Sequence, residues 1–306
     1  MASSASISSR WRQLPTAIVM LAPSAIILGV FVVYPLGRAV WLGRHRCNPQ
    51  GTRCRDNGWD QYVDVARSTE FQRALLVTLK FALLTVPLGL ALGIGLAVLA
   101  DKHLRGVGVF RTIFSSTVAT SVAVASLMWL FLLEPSIGAL SNVGFLKDWF
   151  PVVKTPGLLN DHGTALSAVS VSSIWANLGF TFIIVTAGLQ GIPRDLHEAA
   201  TVDGAGGVRR FWSITLPMLG PTMVFLVVVL TTRAFQAYGE IDLLTEGGPT
   251  PQRSTTNVPY LIFGTRSIVQ SDAGLKATIS VLLFLVLLVL SVFQLRGLSR
   301  RVTYAE

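Results

Sequence analysis

The chain has 306 residues, of which 51% are hydrophobic and only 13% charged, and its mean hydropathy is +0.58. Soluble domains carry about 25% charged residues, so this composition excludes an ordinary soluble globule and places the chain among membrane proteins. The net charge of +9 then reads as contact with anionic lipid and basic span ends, not nucleic-acid binding; no basic run is interleaved with the aromatics that a base-stacking platform needs.

A spanning helix needs about 20 mostly apolar residues. Six stretches qualify: 17–41, 74–100, 112–133, 167–189, 218–241 and 277–295. They are expected to be helices because lipid offers the backbone no hydrogen-bond partner. The fold expectation is therefore an all-α polytopic membrane protein with six transmembrane helices. Arg10 and Arg12 precede the first stretch, as in a signal peptide. The apolar run is longer than a signal h-region, and no small-residue cleavage site follows it. It reads as a retained span behind a short tail, 1–16.

The loop after this span holds "RHRCNPQGTRCR", with Cys47 and Cys54. No histidine cluster completes a zinc site. Two readings stand: a small disulfide loop facing an oxidising compartment, or two free thiols. The sequence then divides into the tail 1–16, the first span with its basic extracytoplasmic loop over 17–72, a five-helix core over 73–295, and a tail over 296–306. Lys and Arg are denser in 1–16, 101–111, 190–213 and 296–306 than in 44–73, 134–166 and 242–276. That bias places the N-terminus inside, although the basic Cys47 loop argues the other way.

Lys80, Arg233 and Glu240 fall in or near spans, where charge is costly. Lys80 lies close enough to its span end to snorkel. Arg233 lies deeper, either lining a path or closing a structural ion pair. Candidate solute contacts are Trp175, Asn177 and Phe180 in the fourth span, with Arg233 and Gln236 in the fifth. An aromatic face stacks on a polyol or a choline-like cation, amides bond hydroxyls, and Arg attracts phosphate. The plainer role for each is helix–helix packing.

Between the fourth and fifth spans the apolar pattern stops at "EAATVDGAGGVRRFWSITLP", 198–217. Physically it is a short helix, a glycine break and a second amphipathic piece. Pro193, Asp195 and Glu198 favour the first helix's N-terminal end, and "GAGG" permits positive φ. An amphipathic segment lying on the bilayer is one reading.

The pattern E-A-A, three residues, G, nine residues, I-x-L-P is met by Glu198, Ala199, Ala200, Gly204, Ile214, Leu216 and Pro217. It resembles the signature of permease subunits of binding-protein-dependent ABC importers. "MLAPSAIILGVFVVYPLGRAVWLG", "MWLFLLEPSIGALSN" and "IDLLTEGGP" resemble carbohydrate-type members of that family. "GLQGIPRDLHEAATVDGAGGVRRF" and "RRVTY" are most similar to A-type permeases of glycerol-3-phosphate or glycerophosphodiester importers.

The resemblance implies a type I importer permease fold in a bacterial inner membrane, with the N-terminus and the loop 193–217 cytoplasmic. That loop would be a coupling helix docking on an ATPase through Glu198, Ala199, Ala200, Asp203, Gly204, Ile214, Leu216 and Pro217. The implied partners are a second permease, commonly a paralogue, two ATPase copies and an extracytoplasmic solute-binding protein. The chain has no G-x-x-x-x-G-K-[ST], so it is expected to be non-catalytic, with ATP and Mg held by the partner ATPase. A neutral sugar is the alternative solute. A secondary transporter would show inverted repeats and a membrane enzyme a catalytic set; neither is visible. The Cys47 loop has no counterpart in the family pattern.

Overall fold

A computed structural model describes residues 7–101, 106–134, 157–249, 253–267, 269 and 271–299. The stretches 135–142 and 300–304, which contributed to the family resemblance, lie outside them, as do the outermost parts of both tails. In chain order the elements are α1 (Ile7–Leu28), α2 (Tyr34–Leu42), strands β1 (His45–Cys47) and β2 (Cys54–Asp56), α3 (Asp60–Arg67), α4 (Thr69–Ala100), α5 (Val107–Ser116) and α6 (Val122–Leu133). There follow α7 (Ala165–Gln190), α8 (Arg194–Val202), α9 (Gly207–Arg210), α10 (Gly220–Phe235), α11 (Gly239–Thr245), α12 (Val258–Phe263) and α13 (Ala273–Ser299). The chain divides into two compact units, one holding residues up to Val65 with Ser271–Leu282, the other the remainder.

In the first unit α1 and α2 form one apolar helix, Ile18–Leu42, whose side chains are largely exposed. A π-helical turn over Gly29–Val33 joins them, and the Tyr34 N–H bonds the Gly29 carbonyl five residues back. Pro35 follows immediately, and widening the preceding turn accommodates its ring. The helix ends in a two-stranded antiparallel hairpin that pairs Cys47 directly with Cys54, and the two cysteines are joined as a disulfide. Asn48 shapes the tip by accepting the Thr52 and Arg53 N–H groups at 2.8 and 3.1 Å. The Gly58 N–H bonds the Asp56 carboxylate and, as the largest influence, holds it below its ordinary pKa.

The hairpin is fastened to the start of α13. Asp272 caps that helix by accepting the Gly274 and Leu275 N–H groups at 2.8 and 3.2 Å, and the same oxygen accepts the Cys47 N–H at 3.0 Å. Buried Gln61 donates to the His45 carbonyl and to Thr278 Oγ1, which itself donates to the Gly43 carbonyl. Gly274 is required by this approach, because a Cβ there would meet the His45 carbonyl oxygen at 1.7 Å.

In the second unit α4 packs along α7, and α10 lies against both. Leu90, Ile94 and Ala97 of α4 meet Phe182, Val185 and Leu189 of α7 and Leu226 of α10 in the core. Several threonines in these helices return their hydroxyls to the carbonyl four residues earlier, as Thr78, Thr85 and Thr181 do; this satisfies a polar group inside an apolar helix.

Among the described residues four helices are long and apolar enough to cross a membrane, and up to six spans result if each of two bent pairs counts as one. The bends correct two sequence expectations. The third span, expected as continuous over 112–133, is broken by 107° between α5 and α6. Ser121 accepts the Val124 N–H at 3.3 Å and starts α6 as a separate helix. The fifth, expected over 218–241, stops at Phe235, and the chain turns before α11. Its approach is also kinked, by 68° between Gly207–Met218 and Gly220–Phe235. Pro217, Gly220 and Pro221 sit at that kink, where proline removes interior helix bonds.

Candidate functional site: the interhelical loop and a polar cavity

The loop that interrupts the apolar pattern folds as expected into a helix, a turn and a second helix. Pro193 sits at the N-cap of α8, one position before the first turn anticipated from sequence. Asp195 occupies that first turn. At the other end Gly204 takes φ +74°. The Ala205 N–H reaches the Ala200 carbonyl at 2.9 Å and the Gly204 N–H reaches Thr201 at 3.0 Å, the paired bonds of a Schellman stop.

Arg210 then donates to Thr201 Oγ1 at 2.6 Å and ties α9 back to α8. Another π-helical turn, Phe211–Thr215, precedes Pro217. It is the same response to a proline as the turn before Pro35.

No residue of α8 is buried. Glu198, Ala199, Asp203, Gly204 and Pro217 are exposed, and Ala200, Ile214 and Leu216 are half-buried. Large apolar side chains accompany them at the surface: Val202 is 88% exposed, Val208 76% and Trp212 63%. An amphipathic helix this open, carrying apolar groups beside a carboxylate, is built to be covered.

A polar cavity of about 150 Å³ opens among α6, α7, α10 and α11. It gathers three of the five expected solute contacts. Arg233 Nη1 donates to Asn177 Oδ1 at 2.8 Å, and the guanidinium lies 4.2 Å from the Phe180 ring centroid. Asn177 Nδ2 donates to the Ser173 carbonyl at 2.9 Å, which fixes its amide. The structural ion pair considered for Arg233 is not formed: among the described residues the one ion pair within 4 Å joins Arg266 and Glu246.

Trp175 instead meets Trp129 edge-on at 6.4 Å, outside the cavity lining. Gln236 caps the C-terminus of α10, exposed and also outside that lining. Lys80 is exposed on α4, as a snorkelling side chain is.

Sequence reasoning left Ser173, Ser126 and Glu240 out of the site, and all three line the cavity. Ser173 Oγ donates to Glu240 Oε1 at 3.2 Å. Ser173, Asn177 and Phe180 share a helical face by spacing, which was a readable signal for Ser173. Glu240 reaches the cavity because the chain turns between α10 and α11, and nothing in the apolar pattern announces that turn.

The family model for the inner-membrane component of binding-protein-dependent transport systems matches residues 72–304. The chain belongs to this family. The match covers both the interhelical loop and every helix around the cavity.

The permease is 33% identical over 291 residues to the sn-glycerol-3-phosphate transport system permease protein UgpA of Agrobacterium fabrum, covering 94% of this chain and 95% of that one. It is 33% identical over 299 residues to UgpA of Escherichia coli strain UTI89, covering 97% of each. In fold it resembles a crystal structure of a bacterial ABC transporter that imports the acidic polysaccharide alginate, with a TM-score of 0.76, 24% identity and coverage of 97% of this chain and 99% of that one. A second structure, of the alginate transporter with an alginate pentasaccharide-bound periplasmic protein, gives a TM-score of 0.77 at 23% identity, covering 98% and 99%. The permease therefore has the type I importer fold, and it is an inner-membrane transport subunit with several apolar helices.

Proposed function

We propose that this permease forms the translocation path of an ATP-driven importer for glycerol-3-phosphate or a glycerophosphodiester. The observation that carries the reading is Arg233: a guanidinium facing a polar cavity, positioned by Asn177 and Phe180, with no carboxylate pairing it among the described residues. Arg binds phosphate oxygens through its planar fork of donors, while Asn177, Ser173 and Ser126 offer hydroxyl-binding groups. The names of the UgpA relatives support the same solute class. Phe180 already has the guanidinium on its face, so the cation–π contact is made within the protein and leaves the phosphate as the primary handle.

A solute-binding protein delivers the solute from the extracytoplasmic side, and two ATPase subunits bind the loop 193–217 from the cytoplasmic side. A second permease completes the path, and the N-terminus lies in the cytoplasm. The exposed face of α8 supports this placement of the ATPase. The chain contributes no nucleotide site, so ATP binding must act through α8 to favour one cavity orientation over the other.

The bends between α5 and α6 and ahead of α10 are natural points for such movement, since a break absorbs rotation that a continuous helix resists. A second reading is an acidic sugar: the alginate importers share the fold, and a carboxylate suits Arg233 as well as a phosphate does. A neutral sugar leaves the Arg233 charge without a role.

The deciding experiment is uptake by the reconstituted complex with purified binding protein, comparing glycerol-3-phosphate, glycerophosphocholine, a uronic acid oligomer and a neutral disaccharide. The reading expects uptake of the first two, abolished by Arg233→Ala. Uptake of the neutral disaccharide alone, insensitive to Arg233→Ala, refutes it.

A further inference from the structure

A larger cleft lies at the C-terminal end of α7, against the inner side of the loop 193–217, and the proposed solute site does not use it. Its volume is about 780 Å³, within the roughly 300–1,000 Å³ of small-molecule sites. It is lined where α4 ends, α5 begins, α7 ends, and α8 and α9 pass beneath. Two chemistries meet in it. Arg111, Arg194 and Arg210 bring three guanidinium groups, opposed by Asp101. Leu189, Ile192 and Phe211 form an apolar wall beside them.

Among the described residues the arginines are not paired with one another or with carboxylates. Arg210 donates to Thr201 Oγ1 and Arg111 Nη2 to the Ala100 carbonyl at the end of α4. Arg111 Nε is buried with no hydrogen-bond partner among the described residues.

We infer that this cleft binds the headgroup of an anionic phospholipid. The phosphate sits among Arg111, Arg194 and Arg210, and the first acyl carbons lie on Leu189, Ile192 and Phe211. A free phosphate uses the cations alone and leaves the exposed edge of half-buried Phe211 uncovered. A phospholipid uses both, and the cleft lies at the ends of membrane helices, where lipid headgroups are found. The site bridges α5 to the α8–α9 loop, so a bound lipid ties the loop to the helix bundle. Only that last consequence rests on the loop's role in coupling.

The test is native mass spectrometry of the complete transporter in nanodiscs holding equal phosphatidylglycerol and phosphatidylcholine. Wild type is expected to retain phosphatidylglycerol selectively. The double variant Arg111→Gln, Arg194→Gln is expected to lose that preference by about thirtyfold, equivalent to about 1 kcal/mol for each of two arginines. Arg111→Lys with Arg194→Lys is expected to keep most of it, which separates lost charge from a damaged fold.

Equal retention of both lipids by wild type overturns the proposal. So does full displacement of the retained lipid by inorganic phosphate, which would make the cleft a free-phosphate site. Lipid retention is read without any transport, so a failure here is distinguishable from a failure of the importer reading.

Discussion

Replacing Gly204 by alanine isolates a single backbone requirement of the interhelical loop. Gly204 ends α8 at φ +74° and lies open, with nothing within 4 Å of the position a Cβ would take. A clash therefore contributes nothing, and the whole effect is the roughly 1–2 kcal/mol that an L-residue pays in the left-handed region. At about 1.4 kcal/mol per factor of ten, the capped turn becomes about 5- to 30-fold less populated relative to an unwound one. If α8 is the element the ATPase grips, productive docking falls by up to that factor. The assay is ATPase activity of the reconstituted complex with and without solute-loaded binding protein. Gly204→Ala should lower the stimulated rate or weaken ATPase retention within that range, while Gly204→Asn, which tolerates the left-handed region, should lie between alanine and wild type. Indistinguishable activity in all three proteins would refute the claim that the turn geometry matters to coupling.

Glu198→Lys should leave the complex assembled in the membrane but abolish solute-stimulated ATPase activity; a normal stimulated rate would remove Glu198 from the ATPase contact. Arg233→Ala should weaken binding of a phosphorylated solute by about 10- to 100-fold, from the roughly 1.5–3 kcal/mol of a hydrogen bond to a charged group, and affect a neutral solute far less; solute titration of the complex measures both. Asp272→Ala removes the N-cap of α13 and the acceptor of the Cys47 N–H together, and loss of a cap alone costs about 1 kcal/mol. Its thermal unfolding should begin at lower temperature than wild type, with Asp272→Asn in between. Ser121→Ala should similarly destabilise α6 by about 1 kcal/mol, read as faster amide exchange in 122–126.

The helices visible in the sequence are those with one long, continuous apolar run. α4, α7 and α13 fall within about five residues of their expected starts and ends, α4 despite the Pro87 inside it. The broken helices were hidden by a chemical ambiguity. Serine and threonine inside an apolar stretch can return a hydroxyl to their own helix, as Thr78 and Thr85 do, or cap a new one, as Ser121 does. The residue type is the same, and only tertiary packing selects between the two. The site was divided in the same way. Asn177 and Arg233 stood out because polar groups are costly in a span, and Phe180 as an aromatic face beside them. Glu240 depended on a turn that moves the chain back toward the cavity, whereas Ser173 was legible from its spacing to Asn177 and Phe180. The α8 stop was fully legible, since Gly204 sits where a helix needs a left-handed residue. For the cysteines, spacing left two outcomes open, and the hairpin shaped by Asn48 brings them opposite one another.

The fastening of the hairpin to Asp272 also sets an order of events for a nascent chain. The disulfide closes over a separation of 7 residues and needs nothing that has not yet been synthesised. The bond from Cys47 to Asp272 spans 225 residues, so it waits until the last helix has emerged. Until then Gln61 lacks its Thr278 partner and the Cys47 N–H lacks its acceptor, and both remain open to solvent. Their closure is a late step that waits on residues 272–278. A truncated product lacking α13 would carry the hairpin as an undocked, protease-accessible tag on the first helix.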